Sequence, residues 1–223
     1  PLFLLYQPVD NWEYEDHNYD QCPYFHNQES MWGYKLQHWH NVSGRNYRAW
    51  KHISDVLMTW VQDYHFDGFR VDHTQGIGWG GNTNGASFYA HILHNYNPDL
   101  ILIAEEDNSY QINSTDMDAG WDYSYFHMMN ANLMEATDGN HYWGNMYDVR
   151  DHIRASSQGY NDHYSPVVYT ENHDEGRVIY HAMQFQGMSH DDAIKKSKLG
   201  AAIMMTGQGM PMLFHGQEFG QNR

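Results

Sequence analysis

Residues 100–104 read Leu-Ile-Leu-Ile-Ala, an unbroken apolar run with Pro98 before it and Glu105-Glu106-Asp107 behind it. Such a run, short and without alternation, is the pattern of a strand covered on both faces, the habit of parallel sheets. Parallel strands need long crossover connections, and the flanking sequence supplies them. The apolar residues Tyr47, Trp50, Ile53, Val56, Leu57, Trp60, Val61 and Tyr64 step by three or four, which predicts a helix over 47–64. That helix is expected to stop at 65–68, and 69–71 to form a short strand with Asp72 at its C-terminal end. Phe88, Ile92 and Leu93 mark a second helix over 87–95, closed by Pro98, and strand 100–104 then ends on Glu105.

The alternation continues down the chain. A strand is expected at 121–126, a helix at about 146–156, and a strand at 166–169 leading into Thr170-Glu171-Asn172-His173-Asp174. A long helix follows over 191–205, with Ala193, Ile194, Leu199, Ala202 and Ile203 inward and Ser189 as its N-cap. The last strand is expected at 210–214, and residues 2–6 read as one more at the start. This order predicts an α/β architecture, either an open sheet or a barrel. An open nucleotide-binding sheet carries a glycine-rich phosphate turn after its first strand. Gly76-Ile77-Gly78-Trp79-Gly80-Gly81 does not fit that fingerprint, leads into no obvious helix and reads as a flexible loop. Acids behind three successive strands instead match a (β/α)8 TIM barrel, which gathers catalytic groups at the C-terminal ends of its strands. With residues 2–6 as the third strand, the chain would carry strands 3 to 8 as one partial catalytic barrel domain over 1–223. It opens at Pro1 without an initiator Met, so both ends are expected to belong to something longer, and the missing N-terminal side leaves localisation undetermined.

Charge narrows the partners. Twelve basic against 28 acidic residues give a net charge of −16, which repels a phosphate backbone and argues against nucleic acid. No run approaches the about 18 apolar residues of a membrane span, and the lone Cys22 cannot form a disulfide within the chain. A neutral, hydroxyl-rich substrate is the easier fit. Aromatic residues make up 16% of the chain, and their flat amphipathic faces suit sugars as well as cores. Trp79, Trp121 and Tyr123 are candidate sugar-stacking residues, with packing as their alternative use.

The acids carry the chemistry. Arg70 and Asp72 are two apart on a predicted strand and so share a face. A guanidinium beside a carboxylate favours the ionised form that a nucleophile needs, although an ordinary ion pair at a barrel rim would look the same. Glu105 is followed by Glu106 and Asp107; like charges and partial burial raise a carboxyl pKa, which suits a general acid, whereas a solvated acidic cap is the plainer reading. Asp174 follows His173, a pair able to stabilise positive charge on a sugar and to hydrogen-bond its hydroxyls. The spacings His38-Trp39-His40 and His91-Ile92-Leu93-His94 read as surface or core histidines, so no metal site is expected.

Three segments together, Asp67-Gly68-Phe69-Arg70-Val71-Asp72, Leu102-Ile103-Ala104-Glu105-Glu106 and Glu171-Asn172-His173-Asp174, resemble short conserved regions of the α-amylase superfamily. Residues 209–220, from Gly209 to Gly220, resemble that family's last barrel strand, and the likeness runs from about Asp10 to the end. It implies Asp72 as nucleophile, Glu105 as general acid/base and Asp174 as transition-state stabiliser, with Arg70 and His173 binding substrate or nucleophile. The implied reaction is retaining cleavage of α-1,4-glucosidic bonds in starch- or glycogen-like α-glucans. The family's Asp-x-x-x-Asn-His region is not matched: Phe3-Leu4-Leu5-Tyr6-Gln7-Pro8 keeps only the apolar core. The Lys-His pair that follows the nucleophile in calcium-binding members is replaced by Gln75-Gly76. No cofactor and no structural calcium are therefore expected, which leans toward branching enzymes and trehalose-releasing hydrolases. An α-1,4-glucan branching transferase would use the same carboxylates, and an inactive glucan-binding homologue or fragment is the third reading.

Overall fold

A computed structural model describes residues 24–30, 33–39, 41–42, 45–46 and 48–222. The expected strand at 2–6, the unmatched family region at 3–8 and Cys22 lie outside the described residues, as do His40 and Tyr47. The chain divides into two compact units, the first running to Glu106 together with Gln111–Asp118, the second comprising Asp107–Tyr110 and everything from Ala119 on. Among the described residues, no helix is long and apolar enough to cross a membrane.

The first unit opens with two antiparallel pairs, β1 (Phe25–Ser30) with β2 (Gly33–Leu36) and β3 (Asn41–Val42) with β4 (Arg45–Asn46). Helix α1 (Ala49–Gln62) buries Ile53, Leu57 and Val61 of the expected stripe together with Ala49 and Ser54, whereas Tyr64 lies beyond its end and is exposed. Strand β5 (Gly68–Val71) follows, then the short α2 (Thr74–Ile77), α3 (Gly85–Tyr96) and β6 (Ile101–Ala104), which pairs with β5 in parallel and in register from Gly68↔Ile101 to Val71↔Ala104. A Cβ at Gly68 would collide with the Ile101 carbonyl, so glycine allows the strands to approach there. The unit closes with α4 (Ser109–Ser114), which it shares with the second.

Two readings are corrected here. Ile101 is 46% exposed while Leu102 and Ala104 are fully buried; side chains alternate along a strand, and among the described residues only one face of β6 is fully covered. The glycine-rich stretch does lead into a helix. The carbonyls of Gly78 and Trp79 accept from Ala86 and Ser87 at 2.8 and 3.1 Å, satisfying donors of α3's first turn that have no partner within the helix.

In the second unit, β7 (Ala119–Trp121), β10 (Pro166–Val168) and β11 (Met210–Pro211) run parallel, with β10 between the other two. The segment expected as a strand at 121–126 is mostly helix, since α5 spans Tyr123–Leu133. Asp122 accepts the Tyr125 N–H at 2.8 Å, an N-cap that the sequence carried in plain view. Next come the hairpin β8 (Thr137–Asp138) and β9 (His141–Tyr142), and α6 (Met146–His152), shorter than the expected helix because Ala155 N turns to the Gln208 side chain. Then come α7 (Val178–Phe185) and α8 (His190–Thr206), which Ser189 caps as expected. The buried face of α8 is Ala193, Ser197, Gly200 and Met204, whereas Leu199 and Ala202 face outward. Small residues are needed there: a Cβ at Gly200 would lie 2.9 Å from Leu133 Cδ1 and 3.3 Å from Thr170 Cγ2. The last strand stops at Pro211 because Phe214 N turns to Gln217 Oε1, and Gln217 Nε2 in turn donates to Thr170 Oγ1 at 2.7 Å. Tyr125, Met128, Met129 and Leu133 of α5 pack with Val168, Val178, Ile179 and Met204 as this unit's core.

Candidate active site

The parallel register of β5 and β6 sets the first part of the site. Because Val71 and Ala104 are paired, the residues after them, Asp72 and Glu105, emerge side by side at the C-terminal ends of their strands. Arg70 reaches both: Nη1 donates to Asp72 Oδ1 at 2.6 Å and Nη2 meets Glu105 Oε1 at 2.5 Å. These three side chains are only 12–17% exposed, so their interactions are little screened. Glu105 Oε2 accepts the backbone N–H of His73 at 2.6 Å, and His73 holds a left-handed φ of 44° to present it. A non-glycine residue in that region is strained, and such strain collects at functional sites. Buried Thr74 adds a brace, its hydroxyl donating to the Val71 carbonyl at 2.9 Å and accepting from Glu105 N at 3.1 Å.

Burial raises the Glu105 pKa above its ordinary value, the His73 N–H and Arg70 opposing and the charge and hydrogen bond of Asp72 adding to the rise. A carboxyl biased toward its protonated form beside a second carboxyl is an arrangement that acid–base chemistry can use. Sequence reasoning missed His73 and Thr74, since no pattern marks a backbone donor or a bracing hydroxyl. Trp79, considered for sugar stacking, is buried, and its indole N–H donates to Glu106 Oε2 at 2.9 Å. It positions the neighbour of Glu105 rather than offering a face to a ligand. A Cβ at Gly76 would meet the His73 ring.

Asp174 and His173 belong to the second unit, in the turn beyond β10. Asn172 shapes this turn, its Oδ1 accepting from Asp174 N at 2.9 Å and Glu175 N at 2.8 Å. Both functional candidates are exposed, and His173 Nε2 lies 3.3 Å from Asp174 Oδ2. Beneath them sits a residue the sequence reading passed over. Glu171 is 1% exposed; its Oε1 accepts from Val178 N at 3.0 Å, fixing the start of α7, and its Oε2 pairs with Arg177 at 3.2 Å. Arg177 also donates to the His215 carbonyl at 2.7 Å and lies 4.3 Å from the Phe214 ring centroid. Burial raises the Glu171 pKa against both partners. Asn172, His173, Arg177, Tyr180 and Phe214 line a cleft of about 570 Å³. Trp121 is buried edge-on to His173 with ring centroids 5.9 Å apart, so it orients that imidazole, whereas Tyr123 is half-buried. The remaining histidine patterns are structural: His38 is buried against the Tyr89 hydroxyl, and His91 and His94 pair with Asp116 and Asp118.

The sequence profile of the family described as alpha amylase, catalytic domain, matches residues 10–223. This chain belongs to the α-amylase family. Its fold is part of that family's (β/α)8 TIM barrel, carried in the described residues by the parallel strands β5, β6, β7, β10 and β11. Family members that resemble it include the malto-oligosyltrehalose trehalohydrolase of Saccharolobus solfataricus, 24% identical over 196 residues, covering 77% of this chain and 34% of the relative. The alpha-amylase MalA of Haloarcula japonica is 27% identical over 191 residues, covering 82% and 25%. Among solved structures, the pullulanase of Anoxybacillus sp. LM18-11 complexed with maltotriose superposes with a TM-score of 0.67 at 19% identity, over 89% of this chain and 30% of that one. The chain thus spans about a third or less of the length of these relatives.

Proposed function

We propose that the protein is a retaining glycoside hydrolase that cleaves α-1,4-glucosidic bonds in starch- and glycogen-like α-glucans. The observation that carries the reading is the shared guanidinium, since Arg70 grips Asp72 and Glu105 at once. Retaining glycosidases hold their two carboxyl groups about 5–5.5 Å apart, whereas inverting ones need about 6.5–9.5 Å to admit a water between. The Asp72 and Glu105 carboxyls also hydrogen-bond to each other, a contact that supports the closer, retaining arrangement.

In this reading Asp72 attacks the anomeric carbon and forms a β-glucosyl ester as the glycosidic bond breaks. Glu105, kept toward its acid form by burial, gives its proton to the departing oxygen. The resulting Glu105 carboxylate takes a proton from water, whose oxygen displaces Asp72 and restores the α configuration. Asp174 is assigned the stabilisation of the positive charge that develops on the ring, and His173 a hydrogen bond to a sugar hydroxyl. An α-glucan substrate is further supported by family membership and by the maltotriose complex of a pullulanase with the same fold.

The test is incubation of the full-length protein with amylose. Reducing ends are expected to rise without new α-1,6 branch points, and Asp72→Asn to lose turnover while still binding glucan. Branch points without net hydrolysis would assign the protein to glucan transfer, and turnover undiminished in Asp72→Asn would remove Asp72 from the nucleophile's role.

A further inference from the structure

The β8–β9 hairpin and α6 bring together three side chains that glycoside cleavage does not use. Asp148 and His152 are one turn apart on α6 and so share a face, and His141 on β9 turns toward them. His141 Nδ1 lies 2.7 Å from Asp148 Oδ2, and His152 Nδ1 lies 3.0 Å from Asp148 Oδ1. The two imidazoles meet nearly edge to face, with centroids 4.9 Å apart, and one donor atom from each of the three residues falls within 4.8 Å of the others. We propose that His141, Asp148 and His152 bind a divalent transition-metal ion of zinc-like character, which ties the hairpin to the helix.

Geometry, chemistry and access support the assignment. Around a tetrahedral zinc with bonds of about 2.0–2.1 Å, neighbouring donor atoms sit about 3.3 Å apart. The two carboxylate–imidazole separations, 2.7 and 3.0 Å, are somewhat shorter than that and would open slightly around an ion. Two imidazoles and one carboxylate suit zinc and its neighbours, whereas calcium and magnesium prefer oxygen ligands throughout. The side chains are 13–16% exposed, enough to exclude most competing water without closing the path to an ion. The start of α6 is held in place, since the Asn145 side chain caps it by accepting from Asp148 N at 3.3 Å. His152 further lines a separate cavity of about 200 Å³ with Asp107, Asp151 and Ser124. Its acids draw cations toward this end of α6.

The experiment is calorimetric titration of chelator-stripped protein with zinc chloride, run on wild type, His141→Ala and His152→Ala. The chain has 17 histidines, so weak sites common to all three proteins are subtracted by the comparison. One equivalent is expected in the wild type that is at least about tenfold weaker in each variant, together with a zinc-dependent rise in Tm that the variants lack. Cobalt(II) in its place should give the intense d–d absorption of a four-coordinate ion. Binding should weaken as pH falls, because protons compete with the metal for the ligand lone pairs. If an alanine variant loses its circular dichroism, Asp148→Asn, which keeps side-chain volume, provides the same comparison. No zinc uptake, or uptake equal in wild type and variants, overturns the proposal.

Discussion

At the scale of single residues, Glu105 and Glu171 are both carboxyls behind a strand, both rest on a backbone N–H, and both have a raised pKa. Their surroundings separate them. Glu105 keeps some exposure and faces a second acid, whereas Glu171 is sealed beneath Asn172 and bound to Arg177 and the start of α7. Removing Glu105 should therefore cost activity and removing Glu171 stability. Glu171→Ala strands a buried guanidinium and an orphan helix N–H, and is expected to lower stability by about 3–5 kcal/mol in denaturant titrations; a loss within about 0.5 kcal/mol would mean that the pair is dispensable. For Glu105 the prediction concerns pH. The acid must be protonated in the free enzyme, so kcat/KM should fall on the basic side as it ionises, with a midpoint above its ordinary 4.5. Because Arg70 holds this pKa down against burial, Arg70→Ala should move that limb further upward while lowering kcat/KM roughly a hundredfold through lost alignment. A limb that stays in place would separate Arg70 from the acid.

At the scale of elements, the start of α5 shows where sequence pattern misleads. Trp121 to Phe126 are apolar and aromatic enough to read as a strand, yet Asp122 caps a helix from Tyr123 on. Cap chemistry decides the matter because it satisfies a backbone donor that an extended chain would leave to the sheet. The cap has its own pH signature. Burial raises the Asp122 pKa from 3.8 to about 6, so between these values the folded protein holds a proton that the unfolded chain has released. Stability from this group is thus fully present below the lower value and is lost as pH rises through about 6. Asp122→Asn keeps the acceptor for Tyr125 N without the charge; its Tm should be no lower than wild type at pH 7 and should lack this slope. Asp122→Ala removes the cap as well and should cost about 0.5–2 kcal/mol. At the α5–α8 contact, Gly200→Val would drive methyl groups into Leu133 and Thr170, an overpacking cost of about 1–3 kcal/mol measurable by thermal melts.

At the scale of the whole molecule, the repeating strand–helix order was legible because it depends on period and burial alone. Helix α1, strands β5, β6 and β10 and the Ser189 cap stand where apolar spacing and cap chemistry placed them. The acids behind the strands were legible for the same reason, since strand ends fix where a side chain emerges. Illegible were the contacts that join distant sequence: the His73 N–H on Glu105, the Gln217 amide on Thr170, and His141 against Asp148 across a hairpin turn. The outward face of α8 was misjudged because Leu199 and Ala202 are apolar, whereas the groove against Leu133 and Thr170 admits only small residues.

The central claim, that Asp72 becomes covalently glucosylated with Glu105 as its acid/base partner, is tested most directly by trapping the intermediate. A fluorinated α-glucosyl fluoride slows the second step more than the first and lets the ester accumulate. Mass spectrometry of a peptic digest should then find one glucosyl unit on the peptide carrying Asp72, with Asp72→Asn unlabelled and the first sugar released from an α-glucan in the α configuration. A label on another residue, or a β-configured first product, would contradict the account.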